Sequence, residues 1–152
     1  MSRVQLALNV SDLDEAITFY SALFGTGPAK VRPGYANFAV ADPPLKLVLI
    51  EGMGDPGSIN HLGVEVDSTD EVAAATTSLA TEGLATLVEE ATTCCYAVQD
   101  KVWVDGPDGA RWEVYTVLDD APDVGGLAGD ATCCVPVSVE STTGSAPSPA
   151  CC

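Results

Sequence analysis

The sequence predicts an α+β domain in which two βαβββ modules form one cup-shaped mixed sheet. The first observation is a repeat: an alternating strand, an amphipathic helix and three short strands occur at about residues 3–51 and again at 60–117. The second is that each module has one apolar sheet face to bury. Two such sheets bury both faces by pairing, so we expect matching strands to line a single concavity with the helices outside.

The first module opens with apolar and polar side chains that alternate from Val4 to Val10, the pattern of a half-buried strand. A helix follows because Ser11 or Asp12 can cap it and its apolar residues recur at helical spacing as far as Phe24. Three strands are predicted at residues 29–32, 35–40 and 45–51, separated by the turn signals Pro33-Gly34 and Asp42-Pro43-Pro44.

The second module repeats this order after a Gly- and Pro-rich connection. Its first strand is predicted from His61 to Val66, and Ser68 or Thr69 caps a helix that ends before Gly83. Its other strands are predicted at residues 84–89, 96–104 and 111–117, with Gly106-Pro107-Asp108-Gly109 as the last turn.

Length and charge narrow the functional class. The 152 residues suit one domain, and 22 acids against 6 bases give a net charge of −16. Such a charge argues against nucleic acid and anionic membranes as partners, since both call for basic patches. The N-terminus lacks the basic region and apolar block of a signal peptide. We therefore expect a cytoplasmic protein, either a monomer or a homodimer.

The six cysteines occur as three adjacent pairs, whereas a secreted disulfide framework would space them apart. Neighbouring cysteines close a small, strained ring if they bridge each other, so free thiols in a reducing compartment are expected. Residues 1–118 form the predicted domain. Residues 119–152 lack Lys, Arg and aromatic residues and are predicted to be a disordered tail. The tail carries possible accessory thiols at Cys133, Cys134, Cys151 and Cys152.

The pair Cys94-Cys95 is a candidate site for a soft, thiophilic atom, because two thiolates stand at one place in the chain. The alternative is two small residues of a core strand, since free cysteine is commonly buried and inert. Neighbours on a regular strand point to opposite faces. If both thiols reach one atom, the segment from Thr92 to Tyr96 must contain a loop or bulge.

Three further residues are candidate metal ligands. His61 is the one histidine of the chain, and Gln5 occupies the equivalent strand of the first module. Glu113 lies in mid-strand between large apolar residues, where an unpaired carboxylate is costly to bury. Each has a plainer interpretation, a structural or surface histidine and two polar side chains on an exposed strand face. Together they resemble the facial set of two neutral donors and a carboxylate that leaves positions open on Fe(II).

These residues carry a resemblance to the vicinal-oxygen-chelate superfamily, which includes glyoxalases, bleomycin-resistance proteins and extradiol dioxygenases. It rests on the duplicated module, on His61 in Asn60-His61-Leu62-Gly63 and on Glu113 in Arg111-Trp112-Glu113-Val114-Tyr115. More narrowly, the chain resembles the ArsI-type C–As lyases, also known as cadmium-induced proteins, over about residues 3–118. The motifs are Pro33-Gly34-Tyr35-Ala36-Asn37-Phe38, Pro43-Pro44-Leu45-Lys46-Leu47, Thr92-Thr93-Cys94-Cys95-Tyr96 and Asp100-Lys101-Val102-Trp103-Val104.

The resemblance implies a glyoxalase-like fold and a non-haem Fe(II) dioxygenase that converts methylarsenite or trivalent aromatic arsenicals to arsenite, an arsenic-detoxifying activity. It implies Gln5, His61 and Glu113 as iron ligands, with O2 as co-substrate, and Cys94 and Cys95 as the substrate thiols. Some members carry His where this chain has Gln5. Two alternatives stand beside it: a non-enzymatic thiol protein that binds cadmium or arsenite, and a glyoxalase-like metalloenzyme.

Overall fold

The computed structural model describes residues 1–94 and 96–121, in which eight strands form one sheet accompanied by two helices. The first module contributes β1 (Arg3–Val10), α1 (Leu13–Phe24), β2 (Lys30–Arg32), β3 (Tyr35–Val40) and β4 (Leu45–Glu51). The second contributes β5 (Ile59–Glu65), α2 (Thr69–Thr81), β6 (Thr86–Cys94), β7 (Ala97–Asp105), a 3₁₀ turn (Pro107–Gly109) and β8 (Arg111–Asp120). The predicted βαβββ order therefore occurs twice.

The sheet has the strand order β2-β3-β4-β1-β5-β8-β7-β6, so each module has the same internal order read outward from the centre. The modules meet where β1 and β5 run antiparallel, and each of these strands has a parallel neighbour, β4 or β8, from its own module. The sheet curls into a half-barrel, which confirms the predicted cup. A two-fold arrangement of this kind brings the first and last strands of both modules to the middle of the concave face.

Both helices begin at the predicted caps. The side chain of Asp12 accepts a hydrogen bond from the backbone N–H of Glu15 at 2.8 Å, and Gly25 ends α1 in the left-handed conformation. Ser68 caps α2 in the same way through the N–H of Glu71. These local signals confirm the helices predicted from the sequence.

The alternation of each strand divides the sheet into an outer and an inner face. On the outer face, α1 packs against an apolar core that includes Phe38, Leu47 and Leu49. The inner face of the first module holds a smaller apolar cluster of Ala7, Tyr35, Val48 and Ile50, with Met53 and Tyr96 packed against it. The inner face also carries buried polar side chains, among them Gln5, His61 and Glu113, where the two modules meet.

Two strands extend further than the sequence pattern indicates. β6 continues past Glu89 to Cys94 because a bulge absorbs the extra residues: Ala91 has φ 47° and its N–H donates to Asp100 Oδ1 at 2.7 Å. β8 continues to Asp120, and Asp119 and Asp120 pair with β7 although the tail was predicted to begin at Asp119. The four tail cysteines, Cys133, Cys134, Cys151 and Cys152, lie outside the described residues.

The expected break in the strand at the cysteine pair is confirmed. The β6–β7 ladder ends at the pair Cys94 and Ala97, and Tyr96 has φ 65°. This hairpin tip rests on the first module, where Lys30 Nζ donates to Tyr96 O at 3.2 Å and Tyr96 Oη donates to Pro33 O at 3.3 Å. Within the part of the chain that the structure describes, neither helix is long and apolar enough to cross a bilayer.

Candidate metal and thiol site

Gln5, His61 and Glu113 converge at the centre of the concave face, where the two modules meet. Gln5 Nε2 lies 3.0 Å from His61 Nε2 and 2.7 Å from Glu113 Oε1, and His61 Nε2 lies 3.4 Å from the same carboxylate oxygen. All three side chains are buried. The strand register causes this convergence, because Gln5 and Glu113 are both cross-strand partners of Gly63, two residues from His61.

Gly63 provides the space in which Gln5 and Glu113 approach each other. A Cβ at this position would lie 3.0 Å from Glu113 Cγ and 3.4 Å from Gln5 Cβ. Contacts this short leave no room for a methyl group without displacing the carboxylate. Glycine is therefore required here by close packing, since its backbone conformation is an ordinary strand.

Lys101 keeps the buried carboxylate of Glu113 charged. Burial alone would raise the pKa of Glu113, but the Lys101 ammonium, 3.0 Å from Oε2, and the hydrogen bond with His61 lower it to about 2. Lys101 is itself 1 % exposed and lies over the ring of Trp103. Glu113 is thus an ionised, fully enclosed ligand candidate, and Lys101 is the partner that a buried carboxylate at this mid-strand position requires.

His61 is oriented by the residue that precedes it. Its Nδ1 lies 2.8 Å from Asn60 Oδ1, an acceptor, so Nδ1 carries a proton and the ring is turned with Nε2 toward Gln5 and Glu113. Asn60 is held in turn by Asn9 through a 3.0 Å hydrogen bond. The ring of Trp103 packs edge-on against the imidazole with centroids 5.5 Å apart. A second hydrogen bond that fixes the tautomer is the usual support of a metal-binding histidine.

The amide of Gln5 is bound on both sides. Its nitrogen faces His61 and Glu113, while its oxygen accepts a short hydrogen bond from the Tyr115 hydroxyl. The same hydroxyl lies 2.8 Å from Glu65 Oε2. Burial, followed by the charges of Glu65 and Glu113, raises the pKa of Tyr115 well above its usual value, so the phenol keeps its proton.

Glu65 is the anionic end of this network. Arg3 Nη2 contacts its Oε1 and Lys46 Nζ contacts its Oε2, both at 2.8 Å. Partial burial acts to raise the pKa of Glu65, but Lys46, Tyr115 and Arg3 together lower it. Two cations therefore hold one carboxylate beneath the Tyr115 hydroxyl.

Two cavities open beside these residues. One of about 20 Å³ lies among Gln5, His61 and Glu113, which is space for a single water molecule or ion. The other, of about 260 Å³, adjoins it through the shared lining residues Tyr35, Lys46 and Gln99. The amide oxygen of Gln99 is buried and has no hydrogen-bond partner among the described residues. An unsatisfied buried acceptor at such a junction indicates a place for a hydrogen-bond donor from a ligand.

Cys94 belongs to the same concave face. It stands opposite Ala97, which alternates in phase with Gln99 and Lys101, and Ala97 lines the larger cavity. Cys94 is 2 % exposed. It is also disulfide-bonded, and its partner lies outside the described residues, as does Cys95. The expectation of free thiols is therefore wrong for Cys94 in this structure. The sequence does not encode the oxidation state, which depends on the redox potential of the surroundings.

The sequence identified the three central residues but missed the groups around them. Lys101, Tyr115, Glu65 and Gln99 lacked an assigned role, and Gly63 appeared only as part of a motif. A lysine between Asp100 and Val102 in a strand is one signal, because a cation at a buried position requires an anionic partner. Among the described residues there is no cluster of three His, Cys, Asp or Glu suited to a metal, and the candidate set consists of His61, Glu113 and the amide of Gln5.

The duplicated βαβββ fold and the ligand set at its centre are those of a glyoxalase-like protein, and comparison with known families gives the same class. The chain belongs to the Glyoxalase/Bleomycin resistance protein/Dioxygenase superfamily, whose family model matches residues 3–114. It is similar in structure to the Mn(II)-bound glyoxalase from Novosphingobium aromaticivorans, with a TM-score of 0.57, 22 % identity and coverage of 80 % of this chain and 42 % of that one. At this level of identity the likeness supports the fold.

Two relatives are similar over most of their length. The trivalent organoarsenical cleaving enzyme from Thermomonospora curvata is 63 % identical over 137 residues, 90 % of both chains. The cadmium-induced protein CadI from Mycobacterium bovis is 65 % identical over 125 residues, 82 % of both chains. The predicted membership of the superfamily, and the closer likeness to organoarsenical-cleaving and cadmium-induced proteins, are thereby confirmed.

Proposed function

We propose that this protein is an Fe(II)- and O2-dependent lyase that cleaves the C–As bond of trivalent organoarsenicals and releases arsenite, as part of arsenic detoxification. The observation that carries the proposal is the meeting, on one concave face, of a buried Gln5-His61-Glu113 set with a cysteine-bearing hairpin. The name of the 63 % identical relative, an organoarsenical cleaving enzyme, supports the same activity.

The three central residues fit a divalent metal. They surround a cavity of about 20 Å³ with one imidazole nitrogen, one ionised carboxylate and one amide, whose oxygen is the atom that would bind a cation. This set is close to the two histidines and one carboxylate of iron sites with open positions, with an amide in place of one imidazole. Iron bound there would supply the O2-dependent oxidation that no protein side chain can perform. Gly63 permits the close approach of two of the ligands, and Asn60 fixes the imidazole.

The hairpin tip would hold arsenic. Trivalent arsenic is thiophilic, and we propose that the thiolates of Cys94 and Cys95 bind it while its carbon substituent faces the metal. Cys94 must then be reduced, which needs a dithiol reductant that gives two electrons and two protons for each disulfide opened and is itself oxidised to a disulfide. Holding both reacting partners in one cavity turns a bimolecular encounter into an intramolecular one.

The larger cavity is the natural place for the organic substituent. Its volume of about 260 Å³ exceeds the roughly 150 Å³ that is sufficient for a benzene ring in an apolar cavity. An aryl group would therefore fit, whereas a methyl group would leave most of the cavity to water. Gln99, whose buried oxygen has no hydrogen-bond partner in the described part of the chain, would accept a hydrogen bond from a donor on the substrate.

A thiol protein that binds cadmium or arsenite without catalysis is the second candidate, favoured by the name of the 65 % identical relative. It uses Cys94 and the other cysteines but has no need of Gln5, His61 or Glu113. Replacing His61 or Glu113 by Ala should leave metal or arsenite binding by thiols unchanged in that case. A glyoxalase-like metalloenzyme, in contrast, would depend on the metal ligands and would tolerate Ser at both cysteines.

The test is anaerobic reconstitution of the reduced protein with Fe(II), followed by methylarsenite or phenylarsenite and then air. Arsenic species are separated by chromatography. The proposal expects arsenite only when iron and O2 are both present. Unchanged organoarsenical that stays bound to the protein would contradict the lyase and favour the thiol-binding protein.

A further inference from the structure

We propose that Tyr115 is a positioning residue for the metal site: its hydroxyl, anchored on Glu65, allows the Gln5 amide to turn its oxygen toward the metal. The proposal rests on the metal site proposed above. It concerns a side chain that contacts Gln5 from behind and does not itself line the small cavity.

In the structure the Gln5 amide turns its nitrogen, and not its oxygen, toward the other two candidate ligands. The amide nitrogen donates to Glu113 at 2.7 Å and lies 3.0 Å from His61 Nε2, so N–H groups occupy the space between the two other ligands. Cations are bound by amide oxygen, because the amide nitrogen carries only donors. Gln5 can therefore serve as a ligand only after its amide has turned over.

A hydroxyl group can satisfy both orientations. In the structure the Tyr115 O–H donates to Gln5 Oε1. After the turn, Gln5 Nε2 would face Tyr115, and the phenol oxygen would accept a hydrogen bond from it while the O–H donates to Glu65 Oε2, 2.8 Å away. A residue with only donors or only acceptors could not stabilise both states.

Glu65 is well placed to accept the hydrogen bond of the phenol. Arg3 and Lys46 hold its two oxygens at 2.8 Å, so the carboxylate cannot turn away from Tyr115. A chain of contacts therefore leads to the amide of Gln5, the proposed metal ligand. It runs from Arg3 and Lys46 through Glu65 to Tyr115. Outer groups of this kind usually change metal affinity by about 10–100-fold when removed.

The experiment measures anaerobic Fe(II) and Mn(II) binding to reduced full-length protein by calorimetry, with the Mn(II) EPR line shape as a second readout. Tyr115→Phe is expected to weaken binding about 10–100-fold and to alter the EPR line shape. Glu65→Gln, which keeps the shape of the side chain but removes its charge, should weaken binding less. Tyr20→Phe on α1, in the outer core, is the matched control and should bind as the wild type does.

A Gln5→His background shows whether Tyr115 acts through the amide. An imidazole can bind the metal without any rotation of an amide, so Tyr115→Phe should have little further effect on metal affinity in this background. In a double-mutant cycle this result would show strong coupling between residues 5 and 115. Equal losses in both backgrounds would overturn the inference and indicate general structural damage. If Tyr115→Phe binds metal as tightly as the wild type does, the role of Tyr115 is overturned and the metal site stands. If the wild type itself binds no metal, the proposed metal site is contradicted together with the role of Tyr115. If Tyr115→Phe does not fold, Glu65→Gln in both backgrounds provides the same cycle.

Discussion

The two modules share one topology but present different inner faces. The pairing of β1 with β5 relates Gln5 to His61 and Ala7 to Gly63, and through the next strands it relates Val48 to Glu113. The first module therefore has an apolar valine where the second has the buried carboxylate. Duplication explains the symmetric frame, and divergence of a few inward positions explains why the carboxylate of the candidate ligand set belongs to the second module.

The hairpin tips differ in the same way. The first module turns between β2 and β3 at Pro33 and Gly34, while the second turns beyond Cys94 and touches the first tip through Tyr96 and Pro33. The frame thus supplies matching turns, and one of them carries the thiols. If function depends on these differences, changes at the diverged positions should impair it, whereas changes at the equivalent positions of the other module should not.

The largest effect is expected from Glu113→Ala. Loss of the one carboxylate among the proposed ligands should reduce iron content and arsenite formation to the level of metal-free protein. Arsenical binding by the reduced thiols should persist. Val48→Ala, at the equivalent position of the first module, is the control and should retain both iron binding and arsenite formation. Iron analysis and arsenic speciation measure the outcome, and an active Glu113→Ala enzyme would remove Glu113 from the mechanism.

Cys94→Ser should have the opposite effect to Glu113→Ala: it should impair arsenical binding and leave iron binding intact. Without one thiolate the arsenical is no longer held beside the metal, so cleavage should fall on the order of 10²-fold or more, the usual cost of lost positioning. Fe(II) affinity should stay at the wild-type value. Calorimetry and initial rates test this, and a parallel loss of iron binding would show that the hairpin and the metal site are not independent.

Lys101→Met tests the buried ion pair between Lys101 and Glu113, both of which belong to the second module. Removing one partner of a buried ion pair costs about 3–5 kcal/mol, whereas Lys30→Met, which affects an exposed pair with Asp120, should cost about 1 kcal/mol or less. The depressed pKa of Glu113, about 2 against 4.5, contributes stability that is present above pH 4.5 and lost as the pH falls through 2.

In Lys101→Met this loss should begin at higher pH, because burial then raises the pKa of Glu113 with less opposition. Urea unfolding of the metal-free protein between pH 2 and pH 7 is the measurement. An unchanged pH profile would mean that Lys101 does not control the carboxylate.

Gly63→Ala sharpens the comparison at a single methyl group. The first module accommodates Ala7 at the equivalent position, but a methyl group at Gly63 would lie 3.0 Å from Glu113 Cγ. Displacing one ligand should weaken Fe(II) binding about 10–100-fold, like the loss of a supporting group. The reverse change, Ala7→Gly, should leave metal affinity intact and cost roughly 0.5–1 kcal/mol of stability. Equal affinities in both variants would contradict the packing argument.

The smallest effect is expected from Gln99→Leu, which changes only the proposed substituent cavity. The variant should lose a few-fold in kcat/KM for an aryl arsenical that carries a hydroxyl donor, in line with the roughly 0.5–1.5 kcal/mol of one neutral hydrogen bond. Phenylarsenite and methylarsenite, whose organic substituents offer no such donor, should be turned over as by the wild type. A uniform loss for all three substrates would indicate damage to the site as a whole.

The sequence predicted the frame and the three central residues because these depend on local signals. Alternation marked β1 and β5, caps marked both helices, and the isolated polar residues Gln5, His61 and Glu113 stood out against apolar neighbours. Lys101 and Glu65 were not predicted, because their partners are distant in the chain and the pairing appears only when the strands are in register. The bulge at Ala91 escaped for a similar reason, since the side chain of Asp100 stabilises it from the next strand.

The most direct test of the central claim, that the metal site and the thiol hairpin act on one molecule in one cavity, is EPR of the Fe(II)–nitric oxide adduct of the reduced protein. Nitric oxide reports on iron without oxidising the substrate. Addition of methylarsenite should change the spectrum of the wild type and leave that of Cys94→Ser unchanged. An identical spectrum before and after methylarsenite is demonstrably bound by the wild type would contradict the account, because the thiols would then hold arsenic away from the metal.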